Sequence, residues 1–151
     1  MNQYGDFGTL ASYIDHIKKN VSQHPTTSML TIDVGDDCQG TAFSEATTPK
    51  CALIYDALSK LEIDAATVGN HDLDTSIPYL IQHHREIFKD GLVTTNSFLK
   101  QPYINIGSLF KYKTLPNGVR TLMLGFMHTS AQKFKESVVL DPIQVIRDNR
   151  I

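Results

Sequence analysis

The chain of 151 residues is long enough for one domain with a sizeable hydrophobic core. Hydrophobic residues make up 41% and charged residues 20%, as in an ordinary soluble globular protein. The net charge of −2, with acidic and basic residues interspersed, argues against a large basic surface for nucleic acid or anionic lipid.

Targeting signals are not visible in the sequence. The N-terminal stretch has no apolar segment followed by a small-residue cleavage pattern, so we expect no signal peptide in this chain. No apolar run reaches the roughly 20 residues that a membrane-spanning helix needs. Two cysteines, Cys38 and Cys51, form no disulfide framework, so a cytoplasmic product is the default expectation, provided that Met1 is the true start.

Helices and short strands alternate along the first two thirds of the chain. Apolar residues at helical spacing predict helices over residues 9–21, 50–61 and 76–89. Runs of β-forming residues predict strands over residues 29–34, 65–68 and 91–96. This order is that of βαβ units, whose right-handed crossovers keep the strands parallel.

Two longer β segments follow, over residues 103–115 and 120–127. Asn117-Gly118 between them is a strong signal for a β-hairpin. The segment from Asp141 begins a last helix. The sequence therefore predicts an α/β fold whose mixed sheet contains βαβ units and a hairpin.

Polar side chains follow two of the predicted strands. Asp36 and Asp37 come after the first strand, and Asn70 and His71 come after the second. Because parallel strands end at one edge of a sheet, and ligands bind beyond that edge, we expect Asp36 and Asn70 to face one another. Carboxylate, amide and imidazole donors suit Mn, Fe, Zn or Mg.

Two such ions close together activate a water molecule and hold a phosphoryl group. A histidine beside them can protonate the leaving oxygen, and the carboxylate of Asp74 stands three residues after His71, where it can orient that ring.

These two motifs also carry a resemblance. "GDDCQG" (35–40) followed by "GNHDLD" (69–74) resembles the second and third signature blocks of the calcineurin-like metallophosphoesterases, in particular the 5′-nucleotidase branch and its fungal relatives. The order of the later segments is also similar, so the resemblance covers most of the chain. It implies part of an αββα sandwich, in which two sheets pack face to face with helices outside.

The resemblance also implies roles for single residues. Asp36 matches the bridging metal ligand and Asn70 a ligand of the second metal. His71 matches the catalytic imidazole, and Asp74 its acidic partner. The implied cofactors are two divalent ions (Mn, Zn, Fe or Mg), and the implied substrate is a small phosphorylated compound such as a nucleotide.

The family pattern is incomplete in this sequence. A "D-x-H" block upstream of the first helix, a later histidine and a "GH-x-H" block are missing, so two of the implied metal ligands are present and five are absent. We therefore expect residues 1–151 to be a partial phosphoesterase domain with an unpaired strand edge and marginal stability. Members of this branch are often secreted or vacuolar, which leaves the compartment open.

Simpler interpretations remain for each residue. Asp36 can be only a turn or cap residue, Asn70-His71 only a turn, and Asp74 can equally cap the helix that begins near Ser76. Cys38 is interpreted as a small packed residue rather than a metal ligand, and Cys51 as a core residue. His84 is predicted to face inward and His83 outward, and His128 has a weak claim to a site.

At the level of function, two alternatives to a phosphoester hydrolase stay open. The chain can be a catalytically inactive remnant, or a binding module that holds a single metal ion with Asp36, Asn70 and His71.

Overall fold

The structure is a computed structural model that describes residues 7–40, 42–74, 77–100, 103–129 and 137–149. Its α-helices are α1 (Phe7–Ser22), α2 (Ala42–Glu45), α3 (Ala52–Leu58), α4 (Ile77–Phe88) and α5 (Pro142–Asn149). Its strands are β1 (Ile32–Asp33), β2 (Ala65–Ala66), β3 (Ser97–Lys100), β4 (Tyr103–Asn105), β5 (Lys111–Thr114), β6 (Arg120–Met123) and β7 (Ser137–Val139). Two short 3-10 helices cover Asp72–Asp74 and Lys89–Gly91. In the described residues, no helix is both long and apolar enough to cross a membrane.

The parallel βαβ arrangement is confirmed. Strands β1 and β2 pair in parallel, with Ile32 opposite Ala65, and α3 lies between them in the chain. A further parallel bridge joins Ala66 to Leu92, after α4. The carboxyl ends of β1 and β2 therefore lie side by side, which brings the two polar motifs to one edge.

The antiparallel part follows. Strand β3 pairs with both β4 and β7, and β5 pairs with β6 as the predicted hairpin. Gly118 in the turn has a φ of 83°, a backbone conformation that glycine adopts without steric cost. The sheets are small, and isolated bridges join their segments.

One hydrophobic core holds the helices against the parallel strands. It contains Ile54, Tyr55 and Leu58 of α3, and Leu80 and Phe88 of α4, with Ala66 and Val68 from the second strand and its end. His84 is fully buried on the same face of α4, as its position in the apolar pattern predicts. Leu10 and Tyr13, predicted on the apolar face of α1, are instead 44% and 61% exposed.

The predicted strand over 91–96 is present only as two isolated parallel bridges, from Ala66 to Leu92 and from Val93 to Ser108. The polar side chains that follow bond to other segments. Thr94 Oγ1 accepts the N–H of Gly107, and Thr95 Oγ1 donates to the Leu109 carbonyl, both over 2.7 Å. Asn96 Nδ2 donates to the Met127 carbonyl over 2.7 Å. The backbone N–H groups of Thr94 and Thr95 also donate, to the carbonyls of Ser108 and Gly125, so this segment bonds to its neighbours without forming a regular ladder.

Two predicted boundaries also shift. Strand β1 covers only Ile32–Asp33 of the predicted 29–34 stretch, and α3 begins at Ala52 rather than at residue 50. Within the described residues, β1 pairs only with β2, and the apolar side chains of Ile32 and Val34 are 55% and 77% exposed. The predicted unpaired edge is therefore present in this part of the chain.

Candidate active site at the carboxyl edge of β1 and β2

The chain reverses direction sharply as it leaves β1. Gly35 has a φ of 76° and Asp36 a φ of 66°, both in the left-handed region. The Gly35 N–H donates to Asp33 Oδ1 over 2.9 Å, which fixes the start of this turn. A left-handed conformation at a non-glycine residue is uncommon and is typical of positions that the surrounding structure imposes.

The second loop leaves β2 and passes close to the first. Gly69 faces Asp36 so closely that any side chain at position 69 would collide with the Asp36 carboxylate and backbone. Glycine at this position is what allows the two loops to touch. The loop then enters the 3-10 helix Asp72–Asp74.

Asp72 holds the two loops together. Its Oδ2 accepts the N–H groups of Asp36 over 2.9 Å and Gly69 over 2.8 Å. Its Oδ1 accepts the N–H groups of Asp37 over 3.0 Å and Cys38 over 3.2 Å. Burial raises the pKa of the Asp72 carboxyl, while these four amide bonds act to lower it.

Asp36 and His71 are brought into direct contact. The backbone N–H of His71 donates to Asp36 Oδ1 over 2.9 Å. The Asp36 side chain is exposed, and Asn70 beside His71 is half-buried. The two motifs therefore meet at one edge of the sheet, as predicted, through a bond between residues 35 positions apart in sequence.

His71 and Asp74 form a pair within the second loop. His71 Nδ1 lies 2.8 Å from Asp74 Oδ2, with the side chains 41% and 22% exposed. Because an ionised carboxylate only accepts hydrogen bonds, the proton of this bond sits on Nδ1. The alternative role of Asp74, as a cap of the next helix, concerns Thr75 and Ser76, which lie outside the described residues.

The sequence predicts no role for Asp37 and only a packing role for His84. In the structure, both residues lie next to Asp72, with one ligand atom of each within 4.8 Å of the others. Burial, reinforced by the neighbouring Asp33, Asp72 and Asp36 charges, raises the pKa of Asp37 to about 8. Burial lowers the pKa of His84 to about 4. The available signal was a second carboxylate in the strand-end loop and a histidine on the apolar face of the next helix.

The cysteine interpretation needs a correction. Cys38 and Cys51 form a disulfide with their Cα atoms 5.5 Å apart, and both residues are fully buried. The bond ties the Asp36 loop to the start of α3, where Cys51 takes the N-cap position. The sequence analysis missed it because the positions of two cysteines in the chain do not reveal their separation in space. His128 is exposed.

No protein-family model matches the chain. Three curated fungal proteins are similar to it. A secreted protein of Arthroderma benhamiae is 23% identical over 98% of the chain and 23% of its own length. An uncharacterized protein of Saccharomyces cerevisiae is 24% identical over 96% of the chain and 25% of its own length. The chain thus spans about a quarter of the length of these relatives.

Several solved structures superpose closely on the chain. The 5′-nucleotidase of Candida albicans superposes with a TM-score of 0.85 at 23% identity, covering 94% of this chain and 27% of that one. A 5′-nucleotidase precursor of Thermus thermophilus superposes with a TM-score of 0.70 at 16% identity, covering 88% of this chain and 26% of that one. The chain has the fold of the calcineurin-like metallophosphoesterases.

The same metallophosphoesterase fold carries different chemistry in another neighbour. The sulfate thiohydrolase SoxB of Thermus thermophilus superposes with a TM-score of 0.76 at 12% identity, covering 97% of this chain and 28% of that one. Neighbours with this fold therefore differ in the substrates that their names give, so the fold does not by itself decide a reaction for this chain.

The metal ions that this metallophosphoesterase fold implies can be tested against the donor atoms present. Asp36 uses Oδ1 for the His71 N–H, and no described residue bonds to its Oδ2. Its carboxylate, the Asn70 amide and the His71 imidazole offer the oxygen and nitrogen donors that divalent ions such as Mn and Zn accept. The residues fit the group as one part of its ligand set.

Proposed function

We propose that the protein is a metal-dependent phosphoester hydrolase of the 5′-nucleotidase type, which hydrolyses phosphomonoesters with an activated water molecule. One observation carries the proposal. The His71–Asp74 pair and the Asp36 carboxylate are joined at the sheet edge by the bond from the His71 N–H to Asp36 Oδ1, 2.9 Å long. A proton donor and a metal-binding carboxylate are thereby held side by side without a flexible connection.

In this proposal residues 1–151 contribute part of a phosphoesterase domain. Asp36 and Asn70 hold the two divalent ions together with ligands from elsewhere in the complete protein. The small share of its relatives' length that the chain covers supports this assignment. The chemistry that the ions supply when bound is activation of water and stabilisation of charge on the phosphoryl group.

His71 and Asp74 handle the proton. Asp74 accepts the Nδ1 proton and holds the ring in one orientation. Proton transfer to the leaving oxygen therefore falls to Nε2 of the imidazolium form of His71, whose charge the Asp74 carboxylate stabilises. The Nε2 proton passes to the oxygen, so that the alcohol departs neutral and the ring is left neutral with its proton on Nδ1. Asp72 does not touch the reacting atoms; it positions Asp36 and His71 by fixing the backbone of both loops.

The proposed substrate is a nucleotide or a similar phosphomonoester. The two neighbours described as 5′-nucleotidases support this class. The SoxB neighbour makes a sulfur ester the natural comparison substrate. In the assay, a phosphomonoester should be turned over and a thiosulfonate-type ester should not.

The test is phosphate release by the full-length product of the gene, supplied with Mn²⁺ or Zn²⁺. Asp36→Asn and Asn70→Ala should each reduce turnover to background, because each removes a metal ligand. Asp56→Asn, an exposed carboxylate on α3, is the matched control and should retain full activity. Turnover without metal, or none in a folded full-length product, would exclude the hydrolase.

A second candidate is a non-catalytic protein, either an inactive remnant or a module that binds one metal ion. The observation that favours a binding module is that the Asp36 carboxylate and His71 lie on two loops in direct contact, with Asn70 beside them, a donor set that also suits a single ion. A remnant predicts neither turnover nor stoichiometric metal. A binding module predicts one metal ion per chain without phosphate release.

We also propose an oxidising compartment such as the secretory pathway. The buried Cys38–Cys51 disulfide supports this, because disulfides persist mainly outside the cytosol. The secreted relative from Arthroderma benhamiae points the same way. Cell fractionation with a C-terminal tag tests it, and a purely cytosolic, reduced protein would contradict it.

A further inference from the structure

Next to the candidate active site, two neighbouring residues each have a buried polar atom without a hydrogen-bond partner. Asp37 Oδ2 and His84 Nε2 are each fully shielded from solvent and bond to no described residue. One ligand atom from each of Asp37, Asp72 and His84 lies within 4.8 Å of the other two. Buried polar atoms nearly always have a partner, so this arrangement requires one.

His84 is oriented as a ligand would be. Its Nδ1 lies 3.2 Å from the Leu80 carbonyl, which can only accept, so Nδ1 carries the proton and Nε2 presents its lone pair. The ring is held edge-on between Tyr55, 4.9 Å away, and Phe88, 5.5 Å away. A histidine that binds a metal through one ring nitrogen usually donates the N–H of its other ring nitrogen to a carbonyl or carboxylate, as His84 does here.

Carboxyl groups cluster around Asp37. Asp33 and Asp72 are close enough to Asp37 to raise its pKa further, beyond the effect of burial. Within the described part of the chain, no lysine or arginine forms an ion pair with Asp33 or Asp37. Asp72 already accepts four amide bonds, so its contribution to a cation is mainly its charge.

We propose that Asp37 and His84, backed by Asp72, bind one divalent cation of the Zn²⁺ or Mn²⁺ class in a site that uses neither Asp36 nor Asn70. Zinc lies about 2.0–2.2 Å from nitrogen and carboxylate oxygen, so two of its ligand atoms stand roughly 3–4 Å apart. The observed spacing, within 4.8 Å, accommodates an ion after small side-chain movements. Such an ion links the Asp36 loop to α4 and replaces two unpaired polar atoms by two bonds.

The experiment is a titration of the metal-stripped 151-residue chain with Co²⁺, followed by visible absorption, and with Zn²⁺, followed by calorimetry. One ion per chain should bind to the double variant Asp36→Asn/Asn70→Ala, which lacks the ligands of the proposed active site. Asp37→Asn and His84→Leu, made in that background, should each weaken binding by about a hundredfold or more. His83→Leu, the adjacent half-buried histidine on α4, is the matched control and should bind unchanged.

A measurement on the unmutated chain guards against misfolded variants. Substoichiometric Mn²⁺ should broaden the ring-proton NMR signals of His84 and leave those of His16 on α1 sharp. Unaltered His84 signals would overturn the proposal. An Asp37→Asn variant that binds the ion with unchanged affinity would also overturn it. So would a folded wild-type chain that binds no ion, a result that would mean that Asp37 and His84 share a proton instead.

Discussion

The carboxylate of Asp72 accepts the backbone N–H of Asp36 over 2.9 Å, a hydrogen bond between residues 36 positions apart. Asp36 is held in a left-handed conformation at the same time. The proposed metal ligand therefore owes its position to a neighbour that takes no part in the chemistry.

Replacing Asp72 with asparagine should unfold the chain at a lower denaturant concentration. The amide oxygen can accept two of the four N–H groups, while its NH₂ group faces the other two donors. Leaving buried donors unsatisfied should cost about 3 kcal/mol of unfolding free energy. Urea denaturation followed by circular dichroism measures it, with exposed Asp56→Asn as the control. Equal midpoints for the two variants would contradict the role of Asp72.

Gly35→Ala should destabilise the chain far more than Gly40→Ala. Both glycines have positive φ, 76° and 88°, so both substitutions carry the left-handed penalty of about 1–2 kcal/mol. A side chain at position 40 meets nothing within 4 Å, whereas at position 35 it reaches 2.8 Å from the Thr67 carbonyl oxygen. Thermal melting of both variants isolates the steric collision. Similar melting temperatures would show that the loops do not approach so closely.

Removing the disulfide should lower the free energy of unfolding of the chain. Cys38 and Cys51 are 13 positions apart, and closing a loop of that length contributes about 3 kcal/mol by restricting the unfolded chain. The double variant Cys38→Ser/Cys51→Ser should lose this amount in urea denaturation. Reductant should destabilise the wild type similarly and leave the variant unchanged. Two free thiols in the unreduced, unfolded wild type would rule the bond out.

Under the proposed function, Asp74→Asn should slow phosphoester hydrolysis by the full-length protein without greatly changing KM. The introduced amide would no longer favour the tautomer and orientation that let His71 transfer a proton, so kcat should fall by about tenfold to a hundredfold. His71→Gln should reduce kcat at least as much. Because the pair acts as a unit, the double variant should be no slower than His71→Gln alone. Additive losses would mean that Asp74 acts elsewhere, for example as a helix cap.

The Asp64–Lys113 contact should make stability depend on acid pH. Burial favours the neutral carboxyl, but the bonds from Lys113 and the Thr31 N–H outweigh it and lower the pKa of Asp64 below its ordinary 3.8. Because the pKa of Asp64 is lower in the folded chain than in the unfolded one, the ion pair contributes its full stabilisation above the ordinary pKa of 3.8. This stabilisation is lost as the pH falls through the lowered pKa of the folded chain. Lys113→Met should therefore lower the free energy of unfolding by about 1 kcal/mol at neutral pH, because solvent screens the pair, and by almost nothing in strong acid.

Lys60→Met is the comparison for that experiment. It removes a pair with Asp56 in which both side chains are 70% exposed, so its effect should be near zero at every pH. A pH-independent loss in Lys113→Met would attribute the effect to packing of the lysine stem rather than to charge.

Much of the fold was predictable from periodicity. The helical spacing of apolar residues located α1 and α4, and Asn117-Gly118 located the hairpin, because these signals are local. The strand over 91–96 is present only as isolated bridges, and the side chains of Thr94, Thr95 and Asn96 bond to distant backbone groups that a local pattern cannot identify. The disulfide was missed for the same reason.

The sequence by itself determined the order of the elements and the placement of Asp36, Asn70 and His71 after two strands, since both depend on neighbouring residues. Only the tertiary structure decided that Asp72 joins the two loops and that a ligand atom of Asp37 lies within 4.8 Å of one of His84. Those contacts connect residues more than thirty positions apart, and their geometry depends on how the helices pack against the strands.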